Sequence, residues 1–122
     1  MWIFLSDSFL SIVHDPDPAK PRNLLVRARV KGDIERVFPG ALVKRTPERD
    51  YLFRASIRND VVANAIQSRI SNIDYGNFKD SVDEEGRHNV YFSVWHTMFT
   101  RAAEMARKRL RPQQRPMQRA RR

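Results

Sequence analysis

Three histidines, His14, His88 and His96, are the side chains of this sequence best suited to acid–base or metal chemistry. His14 precedes Asp15, and an acid beside a histidine can orient it as a general base. No nucleophile is spaced to use such a base, so a turn is the favoured interpretation of this dipeptide. His88 and His96 are eight residues apart, too far for the i, i+4 pair of a metal-binding helix.

An acidic run at residues 83–85 lies close to His88 and could hold a divalent cation weakly. A solvated acidic loop is favoured, because adjacent carboxylates without an enforced cavity face water. The chain has no cysteine, which excludes a thiolate zinc site and a cysteine nucleophile. Its four glycines form no phosphate-binding loop. We therefore predict no catalytic residue, no metal and no cofactor, with a small enzyme using His14 or His88 as the third alternative.

Positive charge is concentrated at the C-terminal end of the chain. Residues 101–122 contain nine Lys or Arg and one acid, Glu104, whereas residues 1–100 contain 14 basic and 13 acidic residues. Such a basic end is typical of proteins with a polyanionic partner, here predicted to be DNA, RNA or a nucleoprotein complex. The alternative is a solvated end that aids solubility or binds acidic surfaces non-specifically. The predicted contact residues are Arg107, Lys108, Arg109, Arg111, Arg115, Arg119, Arg121 and Arg122.

A second basic set lies on two predicted strands, with Arg27 and Arg29 on one and Arg54 and Arg58 on the other. If these strands share a sheet, the four arginines line its open face, as in RNA-recognition modules. Those modules display stacking aromatics on that face, whereas Tyr51 and Phe53 are predicted to face the core. Pairing of the arginines with the nearby acids Glu35, Glu48 and Asp50 is the favoured interpretation.

The strongest helical pattern runs from Val90 to Ala106, where apolar residues recur at i, i+3 and i+4. Tyr91 and Trp95 are its most aromatic part, and burial against a sheet is their default interpretation. A 20-residue helix is long for so small a sheet, so Tyr91 and Trp95 are also a candidate protein contact. This gives the main rival function: a protein-interaction module, either an inhibitor or a homodimer, in which the basic end is incidental.

Hydrophobic periodicity defines the remaining elements. Alternation predicts half-buried strands at residues 24–30 and 51–58, and short β-favouring runs predict a hairpin at 2–5 and 9–14 and a strand at 41–45. Helices are predicted at residues 61–73 and 89–110, with a short one opened by Asp33 as its cap. The order predicts an α+β fold with a ferredoxin-like β-α-β-β-α core, preceded by a hairpin and followed by a long C-terminal helix. An antiparallel meander with helices on one face is the alternative, because the first crossover is short.

The sequence predicts one α+β domain over residues 1–110 and a basic tail over residues 111–122. The N-terminal apolar run lacks a preceding Lys or Arg and is interrupted by Asp7, unlike a signal peptide. A membrane span would need about 20 apolar residues in a row, which the chain does not contain. We expect a cytoplasmic protein without a membrane partner.

Five segments recur in one order in a known group of sequences: FLSIV (9–13), LLVRARVKGDIERVFPGA (24–41), TPERDYLFRASI (46–57), IDYGNFKDSV (73–82) and VYFSVWHTM (90–98). Through them the chain resembles a family of small uncharacterised proteins from bacterial and phage genomes. The family has no established activity, and its members end soon after the VW-x-x-M segment, which makes the basic extension an addition. The resemblance implies a phage or mobile-element protein that contacts host nucleoprotein machinery. The resulting prediction is a non-enzymatic binding protein acting through its basic C-terminus.

Overall fold

The computed structural model describes residues 1–111. Their regular structure comprises five strands, three α-helices and a short 3-10 helix at Lys79–Ser81. The strands are β1 (Trp2–Phe4), β2 (Phe9–His14), β3 (Asn23–Ala28), β4 (Lys44–Arg45) and β5 (Phe53–Arg58). The helices are α1 (Asp33–Val37), α2 (Asn59–Ser71) and α3 (Glu85–Leu110).

The strands form one sheet in the order β1-β2-β3-β5-β4, and every neighbouring pair is antiparallel. The α+β class, the N-terminal hairpin and the long C-terminal helix are thereby confirmed. The ferredoxin-like order is not confirmed. That order places a strand that follows α2 beside β3, whereas β2 from the N-terminal hairpin lies there and residues 72–111 contain no strand.

The core lies on one face of the sheet, beneath α1 and α2. Alternation predicts this face correctly: Val26 and Ala28 of β3 and Ala55 and Ile57 of β5 are all buried. The other buried apolar side chains of the cluster are Leu10, Ile12, Ile34, Val37, Phe38 and Val62. Burial of these side chains is the main favourable contribution to folding, so α1 and α2 are held by the sheet rather than by helix propensity.

Asp33, predicted as a helix cap, is instead a buried carboxylate with 1% of its surface exposed. Its oxygens accept hydrogen bonds from the Phe9 N–H at 3.0 Å, from Arg36 at 3.0 Å and from Arg87 at 2.7 and 3.1 Å. The N-cap position belongs to Gly32, whose φ of 92° is disfavoured for residues with a Cβ. Asp33 therefore joins β2, α1 and α3 at one point.

The same network continues to the hairpin turn and α2. Arg69 forms two hydrogen bonds with Asp7, at 2.9 and 3.1 Å, and Arg36 donates to the Asp7 carbonyl at 3.0 Å. Arg69 also donates to the carbonyl of Arg36 at 3.3 Å. These bonds give Arg69 a role in joining α2 to the turn between β1 and β2.

The long helix α3 begins at Glu85, four residues before the predicted start, within a segment expected to be irregular. Glu84 causes the earlier start, because its carboxylate accepts the backbone N–H groups of Gly86 and Arg87 at 2.9 and 2.8 Å. Tyr91 is buried, and its hydroxyl donates to the Ser8 carbonyl at 3.1 Å. Beyond Tyr91, every residue of α3 is exposed except the half-buried Ala103.

Replacing the buried acid tests whether it holds α3 in place. We expect Asp33→Ala to lower the free energy of unfolding by about 3–5 kcal/mol, because it leaves the Arg87 guanidinium without its counter-charge. Urea denaturation followed by circular dichroism measures this loss. Asp60→Ala, which breaks the exposed Arg58–Asp60 pair, is the matched control and should change stability little. Equal effects of the two substitutions would contradict the role of Asp33.

Acid should weaken the fold through two carboxylates. Burial alone would raise the pKa of Asp7, but its pair with Arg69 lowers it below 3.8, and the Ser56 hydroxyl lowers the pKa of Asp15. A lowered folded-state pKa stabilises the native state above the unfolded value and loses that effect as the pH falls through the folded value. The urea concentration at the unfolding midpoint should therefore fall as the pH drops below about 4. Asp7→Asn should make this midpoint less dependent on pH. An unchanged profile in Asp7→Asn, compared with exposed Asp74→Asn, would contradict the assignment.

Candidate functional site

The outer end of α3 carries a group of exposed cations. Arg107, Lys108 and Arg109 occupy its last turn, Arg111 follows, and Arg101 lies two turns earlier. Within residues 1–111, none of these five side chains forms an ion pair, and Glu104 is the one acid among residues 101–111. Cations at a helix C-terminus interact favourably with the helix dipole, so the arrangement is stable without acidic partners. The predicted contacts Arg115, Arg119, Arg121 and Arg122 lie outside the described residues.

The geometry of α3 separates these cations from the sheet. An α-helix rises about 1.5 Å per residue, so Leu110 lies roughly 28 Å along the axis from the buried Tyr91. The helix contacts the rest of the chain through its first three turns, where Arg87 binds Asp33, Tyr91 packs on Phe4 and Phe78, and the Lys79 ammonium lies over Trp95. A large anionic surface could therefore approach the outer end of α3 without meeting the body.

The second predicted basic set lies on the sheet face opposite the core. The strand register places Trp2, Ser11, Arg27, Arg54 and Lys44 in one row across the five strands. Because α1 and α2 cover the other face, this row lies on a half-open surface. Two like-charged arginines thus stand directly opposite each other in adjacent strands, a pairing that is unfavourable without an anion.

The four arginines of this set differ in their partners. Arg29 pairs with Asp50 at 3.0 Å and Arg58 with Asp60 at 3.2 Å, both on the surface. Arg27 donates to the Ser11 hydroxyl at 2.7 Å. Arg54 has no side-chain hydrogen bond or ion pair within residues 1–111. Burial and the neighbouring charges of Arg27 and Arg49 lower the pKa of Arg54, although the charge of Asp50 opposes them. Arg54 is the arginine of this set that has no hydrogen-bonded partner among the described residues.

Tyr51 occupies a position that the sequence did not predict. Alternation placed it on the core face with Phe53, but β5 begins only at Phe53, so the period-2 rule does not extend to Tyr51. Its ring is buried against arginines, with the guanidinium carbons of Arg27 and Arg29 at 4.6 and 4.1 Å from the ring centre. Burial alone would raise the pKa of Tyr51, but the Ser11 and Trp2 donors and the charge of Arg29 lower it. Tyr51 thereby fixes the orientation of both arginines.

The histidines are not assembled with catalytic partners. His14 is exposed at the end of β2, while buried Asp15 accepts hydrogen bonds from the Ser56 hydroxyl and from the Asp17 N–H. Asp15 therefore organises the 15–17 turn and β5 rather than orienting His14. Near His88, Glu84 caps α3. Across residues 1–111, no three His, Asp or Glu side chains are grouped closely enough to hold a metal ion.

Tyr91 and Trp95, the predicted protein contact, have different environments. Tyr91 is buried, whereas Trp95 is 45% exposed, with the Lys79 ammonium 4.6 Å from its ring centre. Trp95 stacks on Phe99 at 5.5 Å, and Met98 and Phe99 are 67% and 61% exposed. The aromatic face of α3 is therefore covered by the body at Tyr91 and uncovered from Trp95 outward.

Comparison with known proteins gives no match to a family model, to a curated protein or to a solved structure. The family resemblance carried by residues 9–98 thus stays a prediction. None of the helices within residues 1–111 combines the length and the apolar character that crossing a membrane requires.

Substitutions at Tyr51 test whether its ring organises the arginine face. We expect Tyr51→Leu to lower the free energy of unfolding by about 2–3 kcal/mol, because it removes two cation–π contacts and part of a buried ring. Tyr51→Phe keeps the ring over both guanidinium groups and should cost less than half as much. Chemical denaturation of the two variants measures the difference. Equal losses would assign the effect to the hydroxyl group instead of the ring.

Proposed function

We propose that this protein is a non-enzymatic binding protein that contacts nucleic acid, alone or within a nucleoprotein complex, through the basic end of α3 and the residues that follow it. The observation that carries the proposal is the group of cations at residues 101–111, which are exposed, without ion pairs among the described residues, and held away from the body. Clustered cations of this kind are the usual footprint of a nucleic-acid-binding protein. Each cation that replaces a counterion at a phosphate adds to the affinity.

Arginine predominates among these cations, which favours phosphate as the ligand. A guanidinium group binds two phosphate oxygens through a planar fork and stacks on exposed bases, whereas an ammonium group is a point charge without a planar face. Arg27 and Arg54 on the half-open sheet face form a second contact in this proposal. A phosphate bound there would relieve the repulsion between the two arginines and supply Arg54 with the anion it lacks.

The setting of this activity is part of the proposal. The resemblance of residues 9–98 to proteins of phage and bacterial genomes supports a mobile-element protein that modulates host nucleoprotein machinery in the cytoplasm. Pull-down from host lysate with and without nuclease treatment separates a nucleic-acid contact from a protein contact, since only the former is lost after nuclease treatment.

Charge removal at the helix end tests the proposal directly. Fluorescence anisotropy with labelled single-stranded RNA, single-stranded DNA and duplex DNA gives affinity as a function of salt. The plot of log affinity against log salt has a negative slope. Replacing Arg107, Lys108 and Arg109 by Ala should make this slope less steep by about 2 to 3. Arg54→Gln should reduce it by about 0.7–0.9 if the sheet face takes part.

The matched control removes the same charge elsewhere. Lys20, Arg22 and Lys31 are exposed residues on loops, without ion pairs among residues 1–111. Their replacement by Ala should leave the slope within about half a unit of the original. If both triple variants reduce binding equally, attraction depends on net charge alone and the proposed interface is wrong.

A further inference from the structure

The uncovered part of α3 has the residue spacing of a helix–helix seam. Trp95, Met98, Ala102 and Met105 follow one another at intervals of three, four and three residues. Trp95 lies four residues after the buried Tyr91, so these side chains extend the same helix face outward from Tyr91. This alternation is the a/d repeat with which two α-helices pack side by side.

Such a stripe needs a cover. Met98 is 67% exposed and Phe99 61% exposed, and Val94 and Met105 add exposed apolar surface beside them. Single exposed apolar residues are ordinary, but a contiguous patch of this kind marks an interaction site. Beyond Trp95, whose ring lies beside the Lys79 ammonium, every residue of α3 is exposed except the half-buried Ala103.

The charges along α3 indicate which chain fits. The segment at its start is acidic, with Asp83, Glu84 and Glu85, and its end is basic, from Arg107 to Arg111. In an antiparallel pair of such helices, each basic end approaches the acidic start of the other, and the two helix dipoles oppose. In a parallel pair, like charges lie together and both bodies crowd the same end.

We propose that a second copy of this chain covers the stripe, with the two α3 helices antiparallel about a two-fold axis near residue 100. Antiparallel packing places a positions opposite d positions, so Trp95 lies beside Met105 of the second copy and Met98 beside its Ala102. Large side chains thus face smaller or flexible ones. Such a self-complementary surface is the commonest basis of homodimers.

The body leaves room for the second helix. A groove of about 490 Å³ beside the first turns of α3 is lined by Trp2, Phe4, Val90 and Val94, among others. With the axis near residue 100, residue 110 of the second copy lies level with Val90, at the edge of this groove. Only the uncovered part of each stripe is used, so the contacts of Tyr91 and Arg87 with the body stay intact.

Sedimentation of the full chain at increasing concentration tests the dimer. We expect a monomer–dimer equilibrium, and Met98→Glu should weaken it at least about 100-fold, because two carboxylates would be buried in the seam. Thr100→Glu introduces the same charge about 200° around the helix and should leave the equilibrium unchanged. Circular dichroism of Met98→Glu checks that the body stays folded, as expected for a residue that does not touch it.

The orientation can be tested cleanly because the chain contains no cysteine. Chains with Met98→Cys are mixed with chains carrying Ala102→Cys and oxidised. Antiparallel packing predicts that the mixed disulfide exceeds either homodisulfide, whereas a parallel pair predicts homodisulfides.

Two outcomes would overturn the proposal: a monomer at every concentration, which would assign the stripe to a different protein, or a dominance of homodisulfides. The salt slope of the variant at Arg107, Lys108 and Arg109 reports on nucleic-acid binding, whereas sedimentation of Met98→Glu reports on the dimer. The failure of one proposal is therefore distinguishable from the failure of the other.

Discussion

The architecture depends on the buried carboxylate of Asp33. A charge taken out of water is strongly unfavourable unless its oxygens are fully hydrogen-bonded and paired, and here the Phe9 N–H, Arg36 and Arg87 provide those bonds. Burial alone would lower the pKa of Arg87, but the hydrogen bonds from its guanidinium to Asp33 raise it, so the guanidinium keeps its charge. Because the three partners come from different elements, the geometry of one carboxylate fixes the angle at which α3 leaves the body.

That anchor also explains how the outer half of α3 can be helical without touching the sheet. Starting a helix is its unfavourable step, whereas each further residue adds a hydrogen bond at little cost. Glu84 caps the first turn, Arg87 is bound by Asp33, and Tyr91 is packed between Phe4 and Phe78. Nucleation therefore takes place on the body, and the helix extends outward from it. Because the helix extends from a fixed start, its basic end and its apolar stripe are both held in water in a defined direction from the body.

Much of the fold follows from periodicity, and the exceptions have physical reasons. β2 has its predicted limits, and alternation finds the core residues of β3 and β5, since apolar side chains every second residue have one buried face. Asp33 was missed because a carboxylate at a helix start has the same sequence signature as a cap, and its partner Arg87 lies 54 residues away. Tyr51 was misplaced because alternation holds only within paired strand residues. The basic residues of α3 are visible from composition alone, but whether acids neutralise them depends on tertiary contacts.

The exposed stripe of α3 shows the limit of periodicity most clearly, since the spacing that identifies an apolar face does not identify what covers it. The sheet was the expected cover, and its second face explains why it is not. At β1 and β2 that face is apolar, with Phe4 and Phe9 near Tyr91, and there α3 docks. On β3 and β5, the same face carries Arg27 and Arg54. A helix laid across them would bury two like charges without acids, which costs several kcal/mol per ion. The two arginines therefore exclude α3 from the centre of the sheet. As a result, the basic sheet face stays open to phosphate, and the apolar face of α3 stays open to another chain.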